Sequence, residues 1–579
     1  MLDWETTYDQ VLDDSNPPFY EWFPGGGLNA SANCLDRHLD ERGDEAAIEW
    51  VGEPADEANR TYTYAQLHRE VNEFAAGLRE MGVGEDDIVT LYMPMVPELP
   101  IAMLACARLG APHSVVFAGF SADALSTRMN AADSEYLVTC DGYYRRGDPL
   151  DHYAKTLDGL AGVSHAVSDV VVVDRLGANG DGFDHDRPAA HHDYDAVVAA
   201  HDGASVSPVE RDATDMLFLM YTSGTTGQPK GVQLTHHNLA SNAEQSMDIV
   251  PDGLQPADRK IGVLPLFHIY GMTVGMNAAL FAGATFYPMP RWDTEDAMSL
   301  VADAELTLFD GVPTMYNDII THPNAEEFDL SSVRRCTVGG SGIPTEVLRK
   351  FEELYTAKID EGYGLTETSS VTHFNSPNWG RRVGSIGKPL AGIDARIVTD
   401  DFESVPPVDE GPVDESDHDM DDITGELVVS GPNVMAGYLG LPEANRKAFT
   451  EADGKRWFHT GDLGYHDADG YFYIVDRKTH MINTAGYNVY PREVEELLFE
   501  HDAIADAAVV GVPDERRGET VKAYVVRAPD TDVSADEIRE FCLTNLAEYK
   551  HPRTVEFVEQ LPRTTTGKIK KHELVPDED

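Results

Sequence analysis

Residues 221–232 read YTSGTTGQPKGV, directly after an apolar run at residues 216–220 (MLFLM). The run has the length and composition of a buried strand, and the segment after it combines hydroxyls, glycines and one cation, Lys230. Glycines let backbone N–H groups turn toward an anion, hydroxyls add donors, and lysine adds a point charge. The pattern predicts a polyphosphate-binding loop between a strand and a helix that begins near Thr235.

The same alternation of strands and helices continues on both sides of this loop. Residues 61–81 place apolar side chains at helical spacing, and residues 97–109 predict an apolar helix entered through proline. Short apolar runs predict strands at residues 87–92, 115–117, 136–139, 166–173, 261–264, 284–287, 306–309 and 333–339. This alternation predicts an α/β fold of layers with mostly parallel sheets.

The character of the sequence changes twice in its second half. From about residue 383 the strands shorten, which predicts a small β-rich subdomain, and residues 400–422 within it predict a solvated acidic loop. A second break lies at residues 476–479. Beyond it a compact α+β module is predicted, with helices at 491–500 and 535–546 and strands at 507–512 and 521–526.

The charge balance is extreme, with 44 basic and 101 acidic residues among 579, a net charge of −57 and a pI near 4.5. Such a surface repels nucleic acid and anionic lipid, so neither is an expected partner. The acidic residues are spread along the whole chain. Because salt screens their mutual repulsion, we interpret the composition as halophilic.

Several features predict a cytoplasmic protein without a membrane segment, as a monomer or homodimer. The five cysteines are far apart and form no CxxC pair, which predicts reduced thiols rather than zinc or disulfides. The acidic N-terminus does not resemble a signal peptide. The most apolar span, residues 101–120, contains Arg108 and Pro112 and is therefore no transmembrane helix.

The loop at residues 221–232 is not the phosphate loop of kinases and GTPases, because Gln228 and Pro229 separate Gly227 from the lysine. Two other loops suit a nucleotide. Residues 361–368 (EGYGLTET) offer an aromatic ring for stacking and a hydroxyl–carboxylate pair for Mg²⁺, and residues 457–464 (WFHTGDLG) place Asp462 in a turn. Taken singly, turn capping explains Asp462, and simple packing explains Tyr363, better than a nucleotide contact does.

Taken in order, five motifs resemble the acyl-adenylate-forming superfamily, which includes acyl-CoA synthetases, carrier-protein adenylation domains and luciferases. They are YTSGTTGQPKGV, EGYGLTET, GELVVSGPNVMAGYL (residues 425–439), WFHTGDLG and PRTTTGKIKK (residues 562–571). The resemblance implies an N-terminal adenylation domain of α/β subdomains with a β-barrel-like one (residues 1–475), a hinge (476–479) and a mobile C-terminal domain (480–579). It also implies ATP, Mg²⁺, a carboxylic acid and coenzyme A.

The resemblance further implies a role for each matching residue. ATP binding is assigned to Thr222, Ser223, Gly224, Thr225, Thr226, Gly227, Lys230, Gly362, Tyr363, Asp462 and Arg477, with Tyr363 stacking on adenine and the last two contacting ribose. Catalysis is assigned to Lys568, which bridges the acid and the α-phosphate, to Thr366, and to Glu367 as the Mg²⁺ ligand. The hinge is assigned to Thr479, where many relatives carry Asp or Lys.

The N-terminal third resembles acetyl- and propionyl-CoA synthetases through residues 22–39 (WFPGGGLNASANCLDRHL), 115–125 and 141–147. In that group an arginine contacts coenzyme A, which makes Arg145 the candidate, although Arg146 and a structural salt bridge are equally plausible. Gly486 matches the glycine that lets pantetheine pass.

The acyl-pocket region instead resembles fatty-acid and coumarate CoA ligases through residues 264–271 (LPLFHIYG) and 311–316 (GVPTMY). The implied pocket walls are His268, Tyr270, Met315, Gly339, Gly340 and Gly364. Acetate enzymes carry a tryptophan where this chain has Gly364, and the loss of an indole predicts space for several methylenes, each worth about 0.8 kcal/mol when buried.

We therefore expect an AMP-forming acyl-CoA ligase for a medium- or long-chain fatty acid. Propionate, butyrate or an aryl acid is the alternative substrate. A carrier-protein loading enzyme and a catalytically inactive regulatory protein are the alternative functions, and retention of both Lys568 and Glu367 argues against the regulator.

Overall fold

The structure, a computed structural model, describes residues 4–9, 12–13, 21–22, 25–53, 57–222, 229–250, 252–413, 420–485, 487–514, 516–529, 531–564 and 568–575. Its helices are α1 (Ala30–Cys34), α2 (Leu39–Arg42), α3 (Tyr64–Glu80), α4 (Glu98–Leu109), α5 (Ala122–Ala132), α6 (His152–Ala161), α7 (Tyr194–Ala200), α8 (His236–Asp248), α9 (Ala278–Ala282), α10 (Thr294–Asp303), α11 (Pro313–Thr321), α12 (Thr345–Leu354), α13 (Met420–Ile423), α14 (Pro442–Ala448), α15 (Pro491–Phe499) and α16 (Ala535–Asn545). A π-helical segment spans Tyr270–Asn277.

The strands of the N-terminal half are β1 (Leu12–Asp13), β2 (Glu21–Trp22), β3 (Gly27–Leu28), β4 (Ala46–Trp50), β5 (Arg60–Thr63), β6 (Val89–Met93), β7 (His113–Phe117), β8 (Tyr136–Cys140), β9 (Gly142–Arg145), β10 (Asp148–Asp151), β11 (Asp169–Val173), β12 (His191–Asp193), β13 (Arg211–Asp212), β14 (Met216–Thr222), β15 (Lys230–Thr235), β16 (Arg259–Gly262) and β17 (Thr285–Pro288). Those of the C-terminal half are β18 (Leu308–Gly311), β19 (Arg335–Val338), β20 (Ile359–Leu365), β21 (Ser370–Phe374), β22 (Lys388–Pro389), β23 (Asp394–Val398), β24 (Gly425–Ser430), β25 (Gly437–Tyr438), β26 (Phe449–Ala452), β27 (Lys455–His466), β28 (Phe472–Arg477), β29 (Ile482–Thr484), β30 (Tyr487–Val489), β31 (Ile504–Asp514), β32 (Gly518–Arg527) and β33 (Thr554–Phe557).

Two large sheets form the N-terminal part. The first has the order β12-β11-β8-β6-β7-β14-β15-β25 and is parallel as far as β14. The second has the order β22-β21-β20-β19-β18-β16-β17-β4-β5 and is parallel from β20 to β4. The predicted α/β layers are thus confirmed.

Helix α4 accounts for the most apolar span of the sequence. Every residue from Glu98 to Leu109 is buried, and the helix packs against α1 and α3. Helix α3 carries the predicted apolar stripe, with Leu67, Val71 and Phe74 fully buried. No helix in the described ranges is long and apolar enough to cross a membrane.

The structure corrects one element of the central prediction. Strand β14 extends to Thr222, two residues beyond the predicted end at Met220, and a second strand, β15, follows the loop and pairs with β14 in antiparallel register. Helix α8 begins only after β15, with the Thr235 hydroxyl as its N-cap. The predicted order of strand, loop and helix was therefore wrong by one strand, because KGVQLT was interpreted as part of the loop.

The β-rich subdomain forms a third sheet, β23-β24-β27-β26, with β28 also paired to β27. Among the described strands this ladder is open and does not close into a barrel. The acidic loop was predicted to be solvated, yet Val405 and Val408 in it are buried. The backbone of Val408 forms an isolated parallel β-bridge with that of Asp467. These apolar residues anchor an otherwise acidic segment.

The predicted helices and strands of the C-terminal module are present as α15, α16, β31 and β32, whereas β29, β30 and β33 were not predicted. Strands β30, β29, β32 and β31 form a sheet to which β33 adds in parallel. With α15 and α16 it encloses its own apolar core, which includes Ile482, Val494 and Ile538. The domain boundaries at residues 475 and 480 stay a prediction.

Candidate active site

The described ends of the phosphate-loop motif lie beside each other, because Thr222 at the end of β14 pairs with Lys230 at the start of β15. The Lys230 ammonium lies 5.0 Å from the ring centroid of Tyr438, a cation–π contact. The predicted phosphate contacts between these ends, Ser223, Gly224, Thr225, Thr226 and Gly227, lie outside the described residues, as does Gly486.

Tyr438 joins this lysine to the predicted metal ligand. Its hydroxyl donates to Glu367 Oε1 at 2.9 Å, and burial followed by the nearby Glu367 carboxylate raises the pKa of the phenol. Glu367 lies in a short 3₁₀ turn, Thr366–Thr368, whose position is fixed by the Met435 N–H donating to the Glu367 carbonyl at 2.8 Å. Thr366 begins the same turn.

The predicted nucleoside residues form a second cluster. The Tyr363 hydroxyl donates to Asp462 Oδ2 at 2.5 Å, and Arg477 Nε lies 3.0 Å from Asp462 Oδ1. Asp462 is buried, and its carboxylate raises the pKa of Arg477. Gly362 precedes Tyr363 on β20, packed against the Phe374 ring. These residues are brought together from β20, β27 and β28, and Tyr363 and Arg477 are 114 residues apart in sequence.

Lys568 of the C-terminal module reaches the same place. A Cβ built on Gly340 would lie 3.8 Å from Lys568 Cε. Burial lowers the pKa of Lys568, the nearby Arg477 lowers it further, and the carboxylates of Asp462 and Glu367 oppose the shift. The lysine therefore lies between the loop at Gly340 and the nucleoside cluster, where a single cation can meet two anionic reactants.

Of the predicted acyl-pocket residues, Gly340 and His268 lie near Lys568. Burial and the neighbouring Lys568 charge lower the pKa of His268 to about 3, so this imidazole is neutral at physiological pH. The Tyr270 ring lies against Gly339, where a built Cβ would be 3.1 Å from Tyr270 Cε1. Met315 is buried one turn into α11.

A buried polar network holds Tyr270 in place. The Tyr270 and Thr337 hydroxyls are 2.6 Å apart, and the Thr337 hydroxyl donates to Asp310 Oδ1 at 2.6 Å. Asp310 Oδ2 forms a salt bridge of 2.8 Å with Lys260, and both side chains are almost fully buried. Tyr270 begins the π-helical segment, a geometry that is frequent at functional sites.

The structure corrects the argument made for Gly364. A Cβ at this position would overlap the carbonyl oxygen of Ser370 on the neighbouring strand β21. The absent side chain would therefore point into the β20–β21 ladder, which has an irregular register at Tyr363 and Gly364, and not into an open cavity. Glycine is required here by the backbone, so its presence does not by itself enlarge the pocket.

Two predicted residues lie apart from this cluster. Arg145 is exposed at the end of β9, in the β9–β10 hairpin, and neither it nor Arg146 forms an ion pair within the described residues. The structural salt bridge is thus not observed there, and both arginines stay candidates for coenzyme A. Thr479 is exposed in the turn after β28.

Sequence reasoning missed Tyr438 and the network behind Tyr270. Tyr438 lies inside the motif at residues 425–439, so the sequence could have drawn attention to it. Its hydrogen bond to Glu367 could not be predicted from the sequence. Lys260, Asp310 and Thr337 belong to three different strands, and no spacing in the sequence relates them.

Three protein families match successive segments of the chain. The AMP-binding enzyme family matches residues 35–439. The chain belongs to this family. The AMP-binding enzyme C-terminal domain matches residues 493–568, and the acetyl-coenzyme A synthetase N-terminus matches residues 1–34.

Relatives of two kinds are found. A long-chain-fatty-acid–CoA ligase of Bacillus subtilis is 40% identical over 400 residues, covering 67% of this chain and 68% of the relative. An acetyl-coenzyme A synthetase of Pyrobaculum aerophilum is 34% identical over 606 residues, covering 99% and 86%. The crystal structure of ATP-bound MatB from Rhodopseudomonas palustris superposes with a TM-score of 0.80 at 28% identity, covering 94% and 98%.

At the level of the family, the chain is an ATP-dependent, AMP-forming acyl-CoA ligase that uses ATP and coenzyme A, and the predicted resemblance is confirmed. Mg²⁺ is typical of the family, and Glu367 fits it. Its carboxylate supplies hard oxygen ligands, and only Oε1 carries a hydrogen bond within the described residues. Among the described residues, no group of three or more acidic, histidine or cysteine side chains that could hold a metal ion is found.

Proposed function

We propose that this ligase activates an apolar carboxylic acid larger than acetate, a medium- or long-chain fatty acid, and that Lys568 catalyses the first half-reaction. The observation that carries the proposal is the position of Lys568. Its side chain lies beside Gly340 on one side and within electrostatic reach of Asp462 and Glu367 on the other. A reaction between an acid and a nucleotide needs a cation at that junction.

In the first half-reaction a carboxylate oxygen attacks the α-phosphorus of ATP, and the bond to pyrophosphate breaks. Negative charge accumulates on the α-phosphate oxygens in the pentavalent state, and a preorganised ammonium stabilises it without solvent reorganisation. In our proposal Lys568 does this, Thr366 contacts the α-phosphate, and Lys230 with residues 222–227 holds the departing pyrophosphate. Mg²⁺ on Glu367 would neutralise phosphate charge when bound.

In the second half-reaction the thiolate of coenzyme A attacks the acyl carbonyl, and AMP leaves with the bonding electron pair. We assign coenzyme A to Arg145 and Gly486. The exposed position of Arg145 favours contact with a phosphate that approaches from solvent. We further propose that the module from residue 480 rotates about the segment 476–479, with Thr479 as the hinge residue.

The class of acid is proposed from the surroundings of Gly340. A Cβ built on Gly340 would lie 3.6 Å from the Val312 side chain, and the Tyr270 ring lies against the adjacent Gly339. Met315 is buried on α11, which begins directly after Val312. These surfaces suit hydrocarbon rather than a second charge. The fatty-acid relative supports the same class, whereas the N-terminal match and the acetyl-coenzyme A synthetase relatives favour a short acid as the second candidate.

Replacing Lys568 tests the catalytic assignment. We expect Lys568→Ala to lower ATP–pyrophosphate exchange by roughly 10²-fold or more, because an electrostatic stabiliser of the transition state is lost. Exchange at the rate of the unmodified protein would rule the assignment out. Lys570→Ala serves as the control, since Lys570 pairs with Glu573 on the surface of the same turn.

The acid is tested by supplying ATP, coenzyme A and a series of acids from acetate to palmitate, with benzoate included, and identifying products by mass spectrometry. We expect the highest kcat/KM for a chain of six or more carbons, by about tenfold or more over acetate, because each buried methylene adds about 0.8 kcal/mol. A preference for acetate or propionate would overturn the proposal. AMP release without a thioester would favour a carrier-loading enzyme.

A further inference from the structure

Helix α15 connects the C-terminal module to the rest of the molecule through Arg492. The Arg492 guanidinium donates from Nη1 to the Ile474 carbonyl at 3.2 Å. It also lies against Gly342, where a built Cβ would be 2.5 Å from Nη2 and 2.7 Å from Cζ. Ile474 and Gly342 precede the proposed hinge, whereas Arg492 follows it, so these contacts exist only while α15 is docked in this arrangement.

Neighbouring carboxylates orient this docking contact. Asp476 Oδ2 accepts from the Arg492 backbone N–H at 3.0 Å, which satisfies a free donor in the first turn of α15 and places negative charge at the positive end of the helix. Arg492 Nε donates to Glu496 at 2.9 Å. The buried Glu361 carboxylate of β20 also attracts the guanidinium across the interface.

The same helix holds the turn that carries Lys568. Glu495 Oε1 lies 2.7 Å from Lys571 Nζ and accepts from the Val509 N–H at 2.7 Å, and the Glu495 and Lys571 side chains are each 15% exposed. Within the turn, the Thr564 N–H donates to the Lys568 carbonyl at 2.7 Å, and the Lys568 N–H donates to the Thr564 hydroxyl at 3.1 Å.

These contacts connect two positions of the loop after β19, Gly342 and Gly340. The Arg492 guanidinium lies against Gly342, and Lys568 Cε lies 3.8 Å from the position of a Cβ built on Gly340, two residues earlier. Between them lie one turn of α15 and the Glu495–Lys571 ion pair. A shift of α15 on the N-terminal part would therefore move the Lys568 ammonium relative to the acid and the α-phosphate.

We propose that Arg492, Glu495 and Lys571 are positioning residues for the first half-reaction, which hold Lys568 at the reacting atoms and have no part in thiol attack. The inference rests on the proposed role of Lys568. None of the three contacts a reacting atom in this arrangement. Their effect is geometric, and a displacement of about 1 Å at a catalytic group can cost on the order of 10²-fold in rate.

The experiment measures the two half-reactions separately in the full-length protein. ATP–pyrophosphate exchange reports adenylation, and conversion of a supplied acyl-adenylate with coenzyme A to the thioester reports thiol attack. The variants are Arg492→Ala, Glu495→Gln and Lys571→Met, with Arg492→Lys as the conservative form. Arg539→Ala is the matched control, because Arg539 is an exposed arginine of the same module paired with Asp536.

We expect Arg492→Ala, Glu495→Gln and Lys571→Met each to slow exchange by about tenfold or more while thioester formation stays within about twofold. Arg492→Lys should recover part of the loss, and Glu495→Gln combined with Lys571→Met should lose less than the sum of the single variants, because both break one ion pair. Circular dichroism confirms that each variant is folded.

Equal losses in both half-reactions, or normal exchange in the folded variants, would overturn the inference. Lys568→Ala separates this failure from that of the proposed function. If Lys568→Ala abolishes exchange while the three variants keep it, only the positioning role is wrong. If Lys568→Ala itself retains exchange, the catalytic assignment fails.

Discussion

At the scale of single residues, Tyr438 is the unexpected member of the site, because it contacts both Lys230 and Glu367. We expect Tyr438→Phe to raise the Mg²⁺ concentration needed for half-maximal exchange by about tenfold or more, since a charge-assisted hydrogen bond that orients the carboxylate is worth about 1.5–3 kcal/mol. A magnesium titration of the exchange rate measures this. Tyr194→Phe, which removes a hydroxyl bonded to Glu70 far from the site, should leave the midpoint unchanged.

Glycine is required at position 364 for steric reasons alone, because a built Cβ would overlap the Ser370 carbonyl. The φ of Gly364 lies outside the left-handed region, so its backbone conformation does not itself require glycine. We expect Gly364→Ala to lower the free energy of unfolding by about 3 kcal/mol or more, as overpacking against backbone cannot be relieved by a rotamer change. Urea denaturation measures the loss. Gly84→Ala is the control, since the nearest atom to its Cβ is Asp87 Oδ2 at 3.5 Å. Equal stability of both variants would show that the ladder can adjust.

At the scale of elements, the buried pair Lys260–Asp310 between β16 and β18 is connected through Thr337 to Tyr270, which we propose as a wall of the acyl pocket. We expect Asp310→Asn to destabilise the protein by roughly 3–5 kcal/mol, because it leaves the Lys260 charge buried without its partner. The double variant Lys260→Met with Asp310→Leu should recover most of that stability but still raise KM for the acid, because Thr337 loses the acceptor that orients Tyr270. Denaturation and acid KM at saturating ATP check both parts. A double variant as unstable as the single one would contradict the explanation.

The elements themselves were largely predictable from the sequence, because α3, α4 and the parallel strands have strong apolar periodicity. Strand β15 was missed because six residues of mixed polarity after a glycine-rich loop show no clear strand periodicity. The segment is a strand because it pairs with β14, and the sequence does not show this pairing. Of the site residues named by the motifs, Asp462, Arg477, Glu367, His268 and Gly340 lie near Lys568, and their roles stay a prediction. The sequence could not show which side chains contact each other, such as Tyr438 and Glu367. It also could not show the direction in which a side chain at Gly364 would point.

At the scale of the whole molecule, the net charge of −57 has a thermodynamic consequence. Like charges spread over one surface repel each other more strongly in the compact state than in the unfolded chain, so folding is opposed at low ionic strength. The Debye length falls from about 10 Å at 0.1 M salt to about 3 Å at 1 M, so added salt removes most of that repulsion. The 101 acidic side chains greatly outnumber the 44 basic ones, so ion pairs within the protein cannot neutralise most of the repulsion.

We therefore expect the melting temperature to rise by about 3 °C or more between 0.1 and 2 M KCl, because the entropy of unfolding is about 2.1 cal/mol/K per residue, so that in a chain of 579 residues a relief of a few kcal/mol shifts Tm by about 1 °C per kcal/mol. Sucrose at matched osmolality is the control, since it strengthens burial without screening charge. A larger rise in KCl than in sucrose, with exchange activity following the same curve, would support adaptation to high salt. A melting temperature that is equal in both, or highest at low salt, would show that the acidic surface does not limit stability.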